Sequence, residues 1–247
     1  MDPAIVPPPP VSGAPDPARS PASQRPRNAA TLIILDRSTR RPRVLMGRRH
    51  VGLAFMGGRF VFPGGRIEPS DRHMPVAGAL PHRTEAALAA GLTRAPPTLG
   101  RGLALAAIRE TFEETGLLLG TREYGAPGAV PDPWTAFRDE GVLPDLESLH
   151  LVARAITPPG RVRRFDARFF ATDRRTIAAE RAGRVGPDAE FTEIAWVGLD
   201  EARALDLPRI TRTVLDDLEV AAKGGFAPHR PIPFYRERHG RSERTLL

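Results

Sequence analysis

Apolar and polar residues follow two periods along this chain. Apolar or alternating runs of strand length predict β-strands at 31–35, 43–48, 60–62, 150–156, 165–172 and 194–197. Apolar positions three and four residues apart predict helices at 84–92, 103–118, 134–140, 199–205 and 211–223, the third a single helical turn. Because the strands and helices interleave, we expect an α/β fold in which helices pack on a mixed sheet.

The predicted helix at 103–118 carries a cluster of acidic side chains. Glu110, Glu113 and Glu114 stand at i, i+3 and i+4, so a helix projects all three from one face. The apolar stripe on the opposite side consists of Leu105, Ile108 and Phe112. Carboxylates placed this closely repel one another, and a divalent cation that prefers oxygen ligands relieves that repulsion. The pattern therefore predicts a metal site.

Proline content and charge divide the chain into three parts. Residues 1–27 contain nine prolines and few apolar residues, so we interpret 1–28 as a disordered leader. Residues 29–225 hold the predicted strands and helices and form one domain. The segment 226–247 is basic, and we expect it to be irregular.

Composition narrows the classes of protein to consider. The 247 residues contain no cysteine and no apolar run long enough to span a membrane, and the N-terminus does not resemble a secretion signal. These features favour a cytoplasmic protein. The net charge of +7 comes from scattered arginines, with Lys223 the only lysine, so composition explains it better than a nucleic-acid surface does.

Two segments together resemble a known signature. Phe62-Pro63-Gly64-Gly65 precedes the acidic helix, whose sequence Arg109-Glu110-x-x-Glu113-Glu114-x-Gly116-Leu117 matches the second half of the Nudix box, with Thr111 at an apolar position. Gly65 fits the first glycine of that box, and Asp71 stands where the family has glutamate. The chain thus resembles the Nudix hydrolases.

The resemblance has one large departure in length. Thirty-seven residues separate Asp71 from Arg109, where the family pattern has seven, which gives an insertion at 72–102. An interrupted box of this kind, together with the segments 55–65 and 164–170, is similar to the coenzyme A diphosphatases. We expect the insertion to act as a specificity element or a lid.

The resemblance implies a fold and a set of site residues. The Nudix fold places a mixed sheet between helices, and its box forms a loop–helix–loop. The resemblance implies that Mg²⁺ or Mn²⁺ is bound by Glu110, Glu113, Glu114 and the Gly65 carbonyl. Arg109 would orient the acids by pairing with Asp71 or a box glutamate, and Glu110 or Glu114 would accept the proton of the attacking water.

Further candidates lie outside the helix. Glycines allow a phosphate to approach the backbone, so Gly64 and Gly65 are candidate substrate contacts. Guanidinium groups suit phosphates, and the candidates are Arg48, Arg59, Arg163 and Arg164. A later carboxylate often completes the site in relatives, and the candidates here are Glu190 and Glu193.

The implied activity is hydrolysis of a diphosphate linkage in a nucleoside diphosphate derivative. Coenzyme A or an acyl-CoA is the first choice, but no clean coenzyme A motif precedes Phe62-Pro63-Gly64-Gly65. ADP-ribose, nucleotide sugars and dinucleoside polyphosphates therefore stay open as substrates. A non-catalytic nucleotide-binding module and an RNA-end hydrolase are further alternatives. Related folds commonly form homodimers.

Overall fold

The computed structural model describes residues 25–247 except residues 93 and 228. Its strands are β1 Arg27–Asp36, β2 Arg43–Arg49, β3 Phe60–Val61, β4 Gly64–Arg66, β5 Leu117–Leu119, β6 His150–Ile156, β7 Phe165–Asp173, β8 Ile177–Glu180, β9 Phe191–Gly198, β10 Pro233–Arg238 and β11 Arg241–Leu246. Its α-helices are α1 His82–Ala89, α2 Leu99–Thr115, α3 Thr135–Asp139, α4 Leu199–Ala204 and α5 Arg209–Lys223. Short 3₁₀ helices occupy Pro69–His73, Asp132–Trp134 and Arg174–Thr176.

The centre of the protein is a mixed sheet. Its strands follow the order β11-β10-β6-β7-β1-β2-β3, with β4 also paired to β1 and β9 to β2. β1 runs parallel to β7, and β10 runs parallel to β6, whereas the other pairs in this sheet are antiparallel. β5 and β8 form a separate antiparallel pair.

Both faces of the sheet are covered. Successive side chains of a strand point to opposite faces, and β1 accordingly divides its residues between two apolar clusters. Leu32 and Ile34 pack in the cluster that contains residues of α1 and α2, whereas Ile33 and Leu35 pack in the cluster that contains residues of α5. The result is the predicted α/β fold with helices on both sides of a mixed sheet.

The acidic helix begins earlier and ends earlier than predicted. α2 covers Leu99–Thr115 rather than 103–118, and its next residue, Gly116, has a φ of 80°. A Cβ on Gly116 would lie 2.1 Å from the Arg181 carbonyl oxygen, so both backbone and packing require glycine there. The earlier start places Gly100, which sequence alone marks as a helix breaker, in contact with buried side chains of the segment before it.

The insertion at 72–102 is part of the core. Met74, Leu80 and Leu88 are buried in the same apolar cluster as α2. α1 lies within this segment, and the first residues of α2 complete it. A lid that opened as a unit would expose these side chains to water, so the packing argues for a structural role in place of the expected lid.

Both ends of the domain differ from the predictions. The segment 226–247 was predicted to be irregular, but β10 and β11 extend the sheet at its edge. β10 and β11 form an antiparallel hairpin, and β10 also pairs with the distant strand β6, so strand pairing overrides the weak local pattern there. At the other end β1 begins at Arg27, inside the predicted leader, and residues 1–24 lie outside the described part. Among the described residues, no helix is long and apolar enough to cross a membrane.

We expect the insertion to contribute directly to stability. Leu88→Ala removes a buried side chain and should lower the free energy of unfolding by about 2 to 4 kcal/mol. Leu246→Ala makes the same chemical change at a side chain that is 56% exposed, and it should change stability by less than about 0.5 kcal/mol. Urea unfolding of both variants checks this, and equal effects would contradict a core role for the insertion.

Candidate active site

A buried ion pair joins the box loop to the acidic helix. Arg109 on α2 donates from Nε to Asp71 Oδ1 at 2.7 Å, and both side chains are almost fully buried. Asp71 lies in the 3₁₀ helix Pro69–His73, and its Oδ2 accepts from the Glu68 backbone amide at 2.7 Å. The insertion therefore leaves the predicted pairing of Arg109 with Asp71 intact.

Arg109 also holds two of the predicted metal ligands. Its Nη1 lies 3.1 Å from Glu110 Oε1 and donates to Glu113 Oε2 at 3.0 Å, while Nη2 donates to the Arg66 carbonyl at 2.9 Å. Burial alone would lower the pKa of Arg109, but the bond to Asp71 and the charges of the glutamates outweigh it and raise that pKa. Arg109 is thus a fixed positive charge beneath the acidic face.

Glu110 packs directly against the glycine loop. A Cβ added to Gly65 would lie 2.1 Å from Glu110 Oε1 and 2.6 Å from Glu110 Oε2. Only a residue without a side chain leaves room for the carboxylate at this position. Gly65 is held in place by β4, which pairs with β1 through Ala30.

Glu114 occupies the deepest position of the acidic face. It is buried, and its Oε2 accepts from the Gly64 amide at 3.0 Å. Its Oε1 lies 3.8 Å from Arg49 Nη1, which in turn lies 2.8 Å from Glu190 Oε1. The structure therefore brings Glu190 to the site. Glu193 instead pairs with Arg48 at 3.3 Å in an exposed position.

The acidic face is electrostatically strained. Burial raises the pKa of Glu110 to about 7, and the charges of Glu113 and Glu190 act in the same direction. Burial also raises the pKa of Glu114 well above its ordinary range, with Glu190 and Glu110 as the next causes. The pKa of Glu113 is raised for the same main reason. A bound cation would lower the free energy of all these carboxylates in their charged form.

Arg49 is a site residue that sequence reasoning missed. Sequence analysis names its neighbour Arg48 instead. Strand alternation places the two side chains on opposite faces, and β2 has a register irregularity between them. Arg49 donates from Nε to the Phe55 carbonyl at 3.1 Å in addition to its contacts with the acids. Two features of the sequence together could have identified Arg49: the alternation of side chains along β2 and the position of Gly64.

The arginines predicted to bind substrate lie elsewhere. Arg59 pairs with Asp206 at 3.4 Å, and Arg164 donates from Nε to the Thr157 carbonyl at 3.1 Å. Arg48 packs its guanidinium over the Phe60 ring at 5.4 Å, and Arg163 is exposed in the β6–β7 connection.

A cavity of about 280 Å³ lies where the end of α2 meets the sheet. Its lining residues are Leu45, Leu117, Arg174, Ile177, Glu180, Ile194 and Trp196. The Arg174 guanidinium lies 4.9 Å from the centre of the Trp196 ring, and Arg174 Nη1 donates to Asp36 Oδ2 at 3.0 Å. The cavity thus combines an apolar floor with an aromatic face and a cation.

The ligand atoms that these residues offer suit a divalent cation. Among the described residues, no three His, Asp or Glu side chains are already gathered as a metal-binding group. The donor set is nevertheless all oxygen, as Mg²⁺ and Mn²⁺ prefer, and the Gly65 cradle keeps a carboxylate close to a backbone carbonyl.

The fold and this acidic site define a hydrolase that acts on diphosphates. The sequence matches the NUDIX domain over residues 25–218, most of the chain. The chain therefore belongs to the Nudix family, whose hydrolases act on phosphoanhydride bonds and generally on nucleoside diphosphate derivatives. The family recognised from the box is thus confirmed.

The chain is also similar to several solved structures. The NUDIX hydrolase from Alicyclobacillus acidocaldarius is 26% identical, with a TM-score of 0.60, and the match covers 82% of this chain and 97% of that one. The MutT protein from Methanosarcina mazei Go1 is 15% identical with a TM-score of 0.45, covering 81% and 99%. The NUDIX domain of Shewanella oneidensis NrtR, solved with ADP ribose, is 10% identical with a TM-score of 0.45, covering 84% and 93%.

The raised pKa of Glu110 predicts how stability depends on pH. In the unfolded chain this carboxyl titrates near 4.5, but in the folded chain near 7, so the folded state holds the proton over that interval. Without divalent cations, the free energy of unfolding should therefore fall as pH rises from 4.5 to 7.

Glu110→Gln removes this titration and should make the fall in stability shallower, and the raised pKa values of Glu113 and Glu114 should keep part of it. Urea unfolding in the presence of a chelator, at about pH 5 and about pH 8, measures the difference between wild type and variant. An equally steep fall in both proteins would contradict the assignment of the raised pKa to Glu110.

Proposed function

We propose that this protein is a Mg²⁺- or Mn²⁺-dependent hydrolase of a nucleoside diphosphate derivative. The observation that carries the proposal is the contact of Glu110 with Gly65, which puts the acidic face of α2 against the backbone of the box loop. The raised pKa values of Glu110 and Glu114 support it, because they show buried acids without sufficient neutralisation.

In this proposal Glu110, Glu113 and Glu114 hold the cation together with the Gly65 carbonyl. Glu190 completes the set, since it shares Arg49 with Glu114. When bound, the cation neutralises the diphosphate oxygens and lowers the pKa of water. Arg109 keeps the helix acids oriented through its bond to Asp71, so it is a positioning residue.

The proton of the attacking water goes to a carboxylate in this proposal. Glu110 is the better candidate, because its side chain is less buried than that of Glu114 and lies against Gly65 of the box loop, where a water molecule can reach it. Glu114 is committed to the Gly64 amide and is more deeply buried. Its role is therefore to hold the cation.

The organic group of the substrate is proposed to occupy the cavity beside α2. The cavity lining offers apolar side chains and the Arg174 guanidinium, which covers one face of the Trp196 ring, to a nucleobase or a phosphate. Coenzyme A or an acyl-CoA is the preferred substrate on the basis of the interrupted box. ADP-ribose and nucleotide sugars are the alternatives, because the cavity does not select among nucleotides on these contacts alone.

Hydrolysis should depend on Glu114. We expect wild type with Mg²⁺ or Mn²⁺ to cleave at least one member of a panel of coenzyme A, acetyl-CoA, ADP-ribose, a nucleotide sugar and a dinucleoside polyphosphate. Glu114→Gln should reduce that rate by about 100-fold or more, whereas Glu123→Gln, an exposed acid outside the site, should leave it unchanged. Product analysis by chromatography identifies the bond that is cleaved.

Two results would contradict the proposal. Equal rates of hydrolysis in Glu114→Gln and wild type would mean that the acidic face takes no part in the reaction. Binding of these compounds without turnover in wild type would favour the non-catalytic module.

The glycine cradle gives a second test. Gly65→Ala places a Cβ 2.1 Å from Glu110 Oε1, so the carboxylate must move, and we expect a fall in kcat of about 100-fold. Gly128→Ala adds the same methyl group where no atom lies within 4 Å and should leave kcat unchanged. Steady-state kinetics of both variants measures these effects. Full activity of Gly65→Ala would contradict the requirement for glycine beside Glu110.

A further inference from the structure

A second buried charge cluster lies on β6 and β7, next to the strands that carry the acidic site. Arg154 of β6 stands opposite Arg168 of β7 across the antiparallel pair, and Asp166 lies two residues before Arg168 on the same face. All three side chains are buried. The proposed hydrolase mechanism uses none of them.

Arg154 has a complete set of partners. Its Nε donates to Asp166 Oδ1 at 2.8 Å and its Nη2 to Asp166 Oδ2 at 2.7 Å, which is the paired geometry of a guanidinium with a carboxylate. Its Nη1 donates to the carbonyl of Ala90, just after α1. The insertion therefore covers this cluster and is bonded to it.

Only some of the hydrogen-bond donors of Arg168 have acceptors. Its Nη1 donates to Asn28 Oδ1 at 2.7 Å and to the Asp166 carbonyl at 2.7 Å, and lies 3.2 Å from Asp166 Oδ2. Within the described part of the chain, Nε and Nη2 of Arg168 have no hydrogen-bond partner, although the side chain is 0% exposed. Two donors of a buried cation are thus left without acceptors.

The charges of the cluster do not balance. Two guanidinium groups share the single carboxylate of Asp166, which Arg154 already engages with both oxygens. A buried cation without a compensating anion is costly, and each unmet donor adds to that cost. Burial lowers the pKa of Arg168 to about 10, with Arg154 adding to the effect and Asp166 opposing it.

The geometry of the unmet donors specifies the ligand. Nε and Nη2 form one edge of the planar guanidinium, the same edge with which Arg154 grips the two oxygens of Asp166. We propose that Arg168 binds a small oxoanion, a carboxylate or a phosphate, through Nε and Nη2 beneath the insertion. A ligand with two oxygens matches this edge, whereas chloride offers one acceptor.

The proposed anion site is distinct from the acidic site. Ala30 of β1 pairs with Arg168 on one side and with Gly65 on the other. Two strand spacings, about 10 Å, therefore separate the backbones of Arg168 and Gly65. Because Arg154 bonds the insertion at Ala90, an anion here would stabilise the packing of the insertion rather than take part in hydrolysis.

Thermal unfolding of the full chain tests the site. Sodium phosphate or sodium acetate replaces sodium chloride stepwise at constant ionic strength, without divalent cations. We expect a saturable rise in Tm of about 2 to 4 °C once the anion exceeds its dissociation constant severalfold. A rise with phosphate alone assigns the site to phosphates, and a rise with acetate alone assigns it to carboxylates.

Two variants separate this site from other anion contacts. Arg168→Met should abolish the rise in Tm, because it removes the guanidinium edge. Arg175→Met makes the same change at a side chain that is 85% exposed and should keep the rise. An equal rise in Arg168→Met and wild type, or no rise in wild type with either anion, would overturn the proposal.

A crystallographic measurement on wild type does not depend on the variants folding. Crystals soaked in selenate should show anomalous selenium scattering within hydrogen-bond distance of Arg168 Nε and Nη2. Ordered water at both atoms in crystals soaked in selenate and in crystals soaked in acetate would overturn the proposal.

Discussion

The bond between Arg109 and Asp71 is the interaction on which the active site depends. It fastens the acidic helix to the loop that follows the Gly-Gly segment, although the whole insertion lies between the two residues in the sequence. The remaining donors of Arg109 reach Glu110, Glu113 and the Arg66 carbonyl. A single buried guanidinium thereby sets the position of the helix and the orientation of its acids.

The site combines rigid packing with unfavourable charge. α2 is buried over most of its length, and of the acids on its last two turns Glu114 is buried whereas Glu110 and Glu113 are partly exposed. Arg109 and Arg49 offset part of their repulsion, but the pKa values of all three helix glutamates remain raised. Proteins retain such local conflicts mainly where function requires them, which is why we connect this one with cation binding.

The sequence was most informative where the signal was local. Spacing alone located Glu110, Glu113 and Glu114 on one helix face, and the box located Gly65. Interactions between distant segments could not be predicted from the sequence in the same way. Strand pairing with β2 determines that Glu190, and not Glu193, lies at the acidic site. β10 and β11 form at the edge of the sheet, where β10 pairs with β6. The burial of the insertion likewise follows from its contacts with α2.

The most direct test of the account is to locate Mn²⁺ in crystals of the full chain by anomalous scattering. The account predicts manganese bound by carboxylate oxygens of Glu110 and Glu114 and by the Gly65 carbonyl, with Arg109 still bonded to Asp71. Manganese bound elsewhere, with the glutamates still paired to Arg109 and Arg49, would contradict it.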